Sequence, residues 1–573
     1  MILTEQQRAV VDAEGDFLLL ACPGSGKTRS AAERTARLTR TPGAKVAVCS
    51  YTNVGADRIG TVLAAELGVA LDQKHFLGTI HKFLLRYVVH PYAHLLGAER
   101  GPFIHEGGGW PEVRVYGDNT QRIGLDRFRC TADGSLTVTR APRGVRGTSE
   151  EIVAAVGREV RQRKGGLFRR AGLLTADDAM WIALRLLREF SPVAQAVAGR
   201  FDELLLDEAQ DTSELQLACL EVLHATGALR SLVLVGDLEQ SIFSFQGASA
   251  ERCQKLADDR GLRVLSLTEN HRSSQRICDA AVNFCTRTTP DTAVGPHAGC
   301  EISPEVMLYP AKEPQAALAV FRARLARYEM TPEQATVLAR NWKIVDALNG
   351  QTSLFKDTER QYVLGRLAAR LAAGTLTAHD VRRAQRLLAY CAWDTTHVDT
   401  LTDEQRAALR RAGHLLLGRL PALGGDLRTW LVSAREALHA VASTLEAKVA
   451  HVGGRAVTTK PDWANEKAND VFAPAPRELS ARTVHSFKGE DSDAVMVVIR
   501  RPHGSDPTSQ MELWEAAVAG TEIDAEKAEE RRVLFVALTR ARRYCLVALP
   551  DDGRGRSVAA SCTSLGFQVI TTT

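Results

Sequence analysis

Two kinds of pattern alternate along the chain. Short, nearly continuous apolar runs stand at 16–21 (DFLLLA), 45–51 (KVAVCSY), 203–208 (ELLLDE), 231–237 (SLVLVGD) and 263–267 (RVLSL). Runs this short, apolar at successive positions, predict strands buried on both faces of a parallel sheet. The last four are separated by stretches long enough for crossover connections. Between positions 90 and 200 there is no comparable run, which predicts an inserted subdomain. A second series follows at 305–310 (EVMLYP), 335–341 (ATVLARN), 481–486 (ARTVHS), 493–499 (DAVMVVI) and 543–549 (RYCLVAL). It is interrupted from about 351 to 480 by Leu, Ala and Arg at helical spacing, as in VLGRLAARLAAG, followed by an irregular linker.

The expected fold is α/β, with two cores built on parallel sheets, each carrying a mainly helical insertion. The expected boundaries are 1–90 with 191–285 for the first core and 91–190 for its insertion. For the second core they are 286–350 with 481–573, with 351–480 inserted.

Composition adds limits rather than identity. The 573 residues are 45% hydrophobic and 24% charged, ordinary for folded protein and too many for one core. No apolar run is long enough for a membrane helix, and the N-terminus lacks a secretory pattern. Eleven scattered cysteines without a CxxC pair point to a reducing, cytoplasmic setting rather than disulfides or a metal cluster. The net charge of +4 neither demands nor excludes a polyanionic partner.

Chemistry enters at 21–28, ACPGSGKT, between an apolar strand and a helical run. A phosphate-binding loop needs backbone N–H groups, a lysine for the terminal phosphates and a hydroxyl for Mg²⁺. Gly24, Ser25, Gly26, Lys27 and Thr28 supply these, while Ala21 replaces the pattern's first glycine. In LLLDEAQD at 204–211, Asp207 leaves a strand end where a carboxylate can hold Mg²⁺, and Glu208 is placed to polarise a water. These motifs predict a site that hydrolyses a nucleoside triphosphate.

Further motifs extend the pattern. They are LTEQQ at 3–7, SYTNVGADRI at 50–59, GTIHKF at 78–83, VGDLEQSIFSFQGA at 235–248, LTENHRSS at 267–274, TVHSFKGEDSDAV at 483–495 and EERRVLFVALTRAR at 529–542. In this order, from position 3 to 543, the set resembles the superfamily 1 DNA helicases of the UvrD/Rep/PcrA type. The resemblance implies two RecA-like cores and ATP-driven 3′→5′ movement on single-stranded DNA with duplex unwinding. It implies that Gln7, Arg29 and His271 surround the adenine, and that Glu490 or Asp491 contacts the ribose. Gln240 would sense the γ-phosphate, and Arg272 and Arg540 would reach it as arginine fingers. Tyr51, Thr52, Asn53, Thr79, His81, Phe243, Phe245, His485, Ser486 and Lys488 would face DNA, the motif V residues also facing the domain cleft. Three positions depart from the family's usual residues: Val54 for lysine, Gln246 for arginine and KGED for KGLE.

The segment REVRQRKGGLFRR at 158–170 concentrates cations in the first insertion and suits either phosphate contact or a solvated helix face. Two functional readings result. The first is a DNA-stimulated ATPase and helicase, in DNA repair or another context. The second is a DNA-dependent regulatory subunit controlling a partner nuclease, faintly resembling the helicase-like subunits of Gabija-type antiviral defence.

Overall fold

The structure is a computed structural model that describes residues 3–105, 110–115, 122–139, 148–243, 250–311, 313–349, 360–393, 403–445, 466–473, 479–500, 510–523 and 527–570. Two compact units are distinguished. Met1–His105, Val113–Val345 and Ala481–Thr573 form the first, and Glu106–Glu112 with Asp346–Ser480 form the second.

The first unit holds two six-stranded parallel sheets. One consists of β1 (Phe17–Ala21), β2 (Val46–Ser50), β3 (Phe76–Thr79), β4 (Glu203–Asp207), β5 (Ser231–Gly236) and β6 (Arg263–Leu267). Their spatial order is β6-β1-β5-β4-β2-β3, and every pairing is parallel. The continuous apolar runs have a direct cause here. Leu18, Leu204, Leu206, Leu232 and Leu234 enter the cluster on one face, whereas Leu19, Leu205, Val233 and Val235 enter the cluster on the other. A strand covered on both sides cannot alternate apolar with polar.

The second sheet consists of β7 (Glu305–Tyr309), β8 (Ala335–Ala339), β9 (Ala481–Thr483), β10 (Ser492–Val498), β11 (Ala541–Pro550) and β12 (Gln568–Ile570). Its order is β9-β8-β10-β11-β7-β12, again wholly parallel. Every expected strand is present. β3 and β12 were not expected, because FLGT is broken by Gly78 and because two of the three β12 residues are exposed.

Helices of the first unit that position the site are α1 (Glu5–Asp12), α2 (Lys27–Thr39), α3 (Ser149–Ala171), α4 (Ala176–Glu189), α5 (Glu214–Ala225), α6 (Gln275–Ala281) and α7 (Ala528–Leu538). Two of them bear on the expected boundaries. α4 buries Ala179, Ala183, Leu186 and Leu187 in the first core's cluster, although the sequence reading assigns it to the insertion. α6, read as first core, sends Ile277, Ala280 and Ala281 into the cluster of the second sheet. A buried ion pair pins the first core. Arg34 on α2 meets Glu203 at 2.6 Å and donates to the carbonyls of Val10, Val11 and Ala13 at the C-terminal end of α1.

The second unit is mainly helical where it is described, with helices Arg360–Ala372, Ala378–Trp393, Asp403–Arg419 and Leu427–Ala442. Leu364, Leu388, Leu416, Trp430 and Phe472 lie in its core. Among the described residues no helix is long and apolar enough to cross a membrane.

Candidate nucleotide cleft and nucleic-acid face

A cleft of about 500 Å³ opens between the two sheets of the first unit. Lys27, Arg29, Arg58, Arg272, Arg540 and Arg542 line it against Glu66, Glu208 and Asp491. That excess of cations suits a polyphosphate.

The phosphate loop leaves β1 at Ala21. Ala21 is the last residue of the strand, buried and paired with Leu267, so the position asks for an apolar strand residue rather than a glycine. Gly24 and Gly26 have φ of 71° and 81°, a region that L side chains rarely adopt. Space is also missing. A Cβ on Gly24 would stand 2.6 Å from Cβ of Arg272, and one on Gly26 would stand 2.5 Å from Gln7 Nε2. The loop carbonyl of Gly24 accepts from His271 N at 2.9 Å, so the segment carrying His271 and Arg272 lies directly on it. Gly26 caps α2 without a side chain. The first-turn N–H groups of α2 therefore face the cleft uncapped, which suits an anion. Ser25, Lys27 and Thr28 line the same wall, and Lys27 Nζ donates to Cys22 O at 3.4 Å.

Gln7 has two local roles. Its Oε1 accepts from Thr4 N at 3.2 Å, completing the capping box of α1. Its Nε2 donates to Ser25 O at 3.0 Å and lies 3.3 Å from His271 Nε2. Arg29 is held by Glu33 at 2.7 Å and by Glu66. Gln7, His271 and Arg29 thus gather at one end of the loop.

Asp207 ends β4, fully buried, with Oδ1 accepting from Glu208 N at 3.0 Å. Burial, reinforced by the charge of Glu208, pushes its carboxyl well above the usual range, against the pull of Lys27. Burial acts on Glu208 the same way, but Lys488, Lys27 and a hydrogen bond from Gln210 outweigh it, and Glu208 titrates below its ordinary value. Glu208 sits at φ 55°, a left-handed conformation that costs a non-glycine about 1–3 kcal/mol. A buried carboxylate pair kept apart in acidity is the donor set a divalent cation would relieve, so the residues fit Mg²⁺.

From Glu208 a hydrogen-bonded chain runs to the second sheet. Gln210 Nε2 donates to Glu208 Oε2 at 2.5 Å, and Asp237 N donates to Gln210 Oε1 at 3.1 Å. Gln240 Nε2 donates to Asp237 Oδ2 at 2.6 Å, and Arg540 Nη2 donates to Gln240 Oε1 at 2.8 Å. Arg540 follows α7 and is buried, which brings its guanidinium down to about 9, aided by the charge of Arg272. Arg272 Nε donates to Asp491 Oδ2 at 3.0 Å, and its Nη1 donates to Thr539 O at 3.1 Å. Of the two acids in KGED, Asp491 lines the cleft and pairs with Arg272 and Arg542. The Glu490 carboxylate is turned to Arg482, with both bonds at 2.8 Å.

The residues assigned to DNA follow the carboxyl ends of the strands. Tyr51, Thr52 and Asn53 follow β2. Thr79 ends β3, and His81 lies in the helix after it. Thr52 and Thr79 cap the next helices through Gly55 N and Lys82 N. Lys82 Nζ donates to Asn53 Oδ1 at 2.7 Å. The Phe243 ring lies 5.7 Å from Tyr51 and 5.8 Å from His485, joining the two cores through aromatic contacts. Burial, then the charge of Arg340, lowers His485 to about 4. Neutral at pH 7, it donates Nε2–H to Ile242 O at 3.0 Å. Ser486 Oγ donates to Thr483 O at 2.9 Å. Lys488 is turned inward, bonded to Asp211 and, at 2.5 Å, to Gln240 O. Phe245 lies outside the described residues.

Sequence reasoning missed Arg58, Arg542, Gln210 and Asp211 as parts of this site. Gln210 and Asp211 stood inside the quoted LLLDEAQD, and Arg542 two residues after Arg540. Arg58 Nη1 donates to Gly489 O at 2.8 Å across the cleft, a contact no local pattern announces.

Residues 3–112 and 149–260 match the family model of the UvrD/REP helicase N-terminal domain. The chain is 27% identical over 286 residues to ATP-dependent DNA helicase Rep of Escherichia coli K12, covering 48% of this chain and 42% of that protein. It is 28% identical over 311 residues to ATP-dependent DNA helicase UvrD1 of Mycobacterium leprae, covering 49% and 39%. To DNA helicase II of Escherichia coli K12 it is 25% identical over 292 residues, covering 48% and 39%. The chain therefore spans about two fifths of the length of the curated relatives it matches.

Proposed function

We propose, from the chain's place among the UvrD/Rep-like helicases of superfamily 1, that it hydrolyses ATP to move along single-stranded DNA and to unwind duplex DNA with 3′→5′ polarity. One observation carries this reading. The phosphate loop of one sheet faces Arg272 and Arg540, which are bonded into the other, across a single cleft.

In this reading the α2 N-terminus and Lys27 hold the β- and γ-phosphates. Thr28 and Asp207 would hold Mg²⁺, which when bound neutralises charge on the phosphate oxygens. Glu208, ionised at neutral pH, orients the attacking water. Arg540 and Arg272 stabilise the charge that develops on the transferred phosphoryl group. Gln7, His271 and Arg29 would enclose the adenine, and Asp491, which lines the cleft where Glu490 does not, would be the acid that reads the ribose.

The coupling runs through the chain from Glu208 to Arg540. Loss of the γ-phosphate releases Gln240 and Arg540 from their shared target and opens the cleft. The same opening moves Tyr51, Phe243 and His485, which stand where bases stack. Lys82, beside Asn53, supplies the phosphate-binding cation that Val54 cannot.

Strand displacement tests polarity. A duplex with a 3′ single-stranded tail is expected to unwind with ATP, one with a 5′ tail is not, and Lys27→Ala unwinds neither. Unwinding of the 5′-tailed duplex alone contradicts the proposal.

A further inference from the structure

A second cavity, of about 330 Å³, lies between α3 and α4 and shares no lining residue with the nucleotide cleft. Its size is that of a small-molecule site. The floor is apolar, from Leu136, Phe168, Leu174 and Ile182, with the partly exposed indole of Trp181 beside it.

Four cations line it, Arg161, Lys164, Arg169 and Arg185, against one acid, Asp178. Asp178 is already paired with Lys164 at 2.7 Å, and Arg185 with Glu189 at 2.7 Å. Among the described residues Arg161 and Arg169 have no carboxylate partner, and Arg161 spends one donor on Gly134 O at 2.9 Å. Arg161 also bonds Cys130, so the rim holds two guanidiniums whose charge no carboxylate among the described residues neutralises. A guanidinium fork matches a phosphate, sulfonate or carboxylate.

Gly165 supplies an independent sign. It lines the cavity from the middle of the 23-residue helix α3. A helix-interior glycine costs about 1 kcal/mol against alanine. Packing does not require it, since a Cβ there would meet Arg169 Nη1 at 3.5 Å and nothing closer. What the glycine preserves is the open wall of the cavity.

We infer that this cavity binds a small organic anion, with an apolar or aromatic body on the Phe168–Ile182 floor and its acidic group between Arg161 and Arg169. The inference goes beyond the reading of the nucleotide cleft and does not depend on it.

The test uses the full chain with its nucleotide cleft saturated by ADP, and anilinonaphthalene sulfonate, a fluorescent aromatic anion, as the probe. Wild type is expected to give one saturable, blue-shifted binding signal. Gly165→Leu, a good helix former that fills the cavity, weakens binding by about 10-fold or more, and Arg169→Glu by about 5-fold or more. Binding unchanged in Gly165→Leu overturns the inference. So does a loss seen in Arg169→Glu alone, which marks a charged surface rather than a pocket. Thermal midpoints and far-ultraviolet circular dichroism establish that both variants fold. If Gly165→Leu does not fold, the double variant Arg161→Glu/Arg169→Glu decides, and wild-type dye binding there overturns the inference. The readout is dye fluorescence, so its failure is distinct from any failure of ATP hydrolysis.

Discussion

Arg540 Nη2 donates to Gln240 Oε1 at 2.8 Å, joining the second sheet to the end of a chain that begins at Glu208. The two residues are 300 positions apart in sequence. In the proposed mechanism Gln240 would relay to Arg540 what happens around the Glu208 carboxylate. Gln240→Ala breaks that path while leaving Lys27 and the α2 N-terminus intact. Its DNA-stimulated kcat is expected to fall about 10- to 100-fold with KM for ATP within about 3-fold. Steady-state kinetics check the split, and a rise confined to KM contradicts it.

The KGED sequence left two acids open, and the geometry separates them. Asp491→Ala frees Arg272 and Arg542 from their shared carboxylate. It is expected to lower kcat/KM for ATP by about 10-fold or more, whereas Glu490→Ala, which loses a surface pair, changes it by less than about 2-fold. The reverse ranking would return the cleft role to Glu490.

Arg34 and Glu203 form a buried pair at 2.6 Å. Removing one partner strands the other charge in the core, at a cost of about 3–5 kcal/mol. Arg34→Met is expected to lower the thermal midpoint of the first unit by several degrees. An unchanged midpoint would contradict the inferred charge burial.

His485 carries a pH signature. Its folded value is about 4, depressed first by burial, whereas an unfolded histidine titrates near 6.5. Between these values the unfolded chain binds the extra proton, so this stability is present above about pH 6.5 and is lost as pH falls toward 4. His485→Gln removes that proton uptake. Its denaturation curves are expected to show a shallower loss of stability across this window, by roughly 1–2 kcal/mol. Parallel curves for wild type and variant would contradict it.

The sheets were legible because β1, β4 and β5 are covered on both faces, and that burial writes itself as unbroken apolar runs. β3 and β12 left no such mark, one broken by Gly78 and the other largely exposed. Helix ownership was also hidden. An amphipathic period tells that α4 and α6 bury a face, but not which cluster receives it. In the cleft, residues tied to one local loop were readable, namely Gly24, Gly26, Lys27, Asp207 and Glu208. The bond between Lys488 and Asp211 spans 277 positions, and no spacing rule reaches that far. Charge alone also left the choice between Glu490 and Asp491 open, because it depends on where Arg482 stands.

In the proposed function one cleft, completed by arginines from the second core, drives DNA-dependent ATP hydrolysis. The most direct measurement is the ATPase rate of wild type and Arg540→Ala, with and without single-stranded DNA. Wild type is expected to rise at least about 10-fold with DNA, and Arg540→Ala to lose about 10³-fold in kcat while still binding nucleotide. A wild-type rate indifferent to single-stranded DNA, or an Arg540→Ala enzyme as active as wild type, would contradict the account.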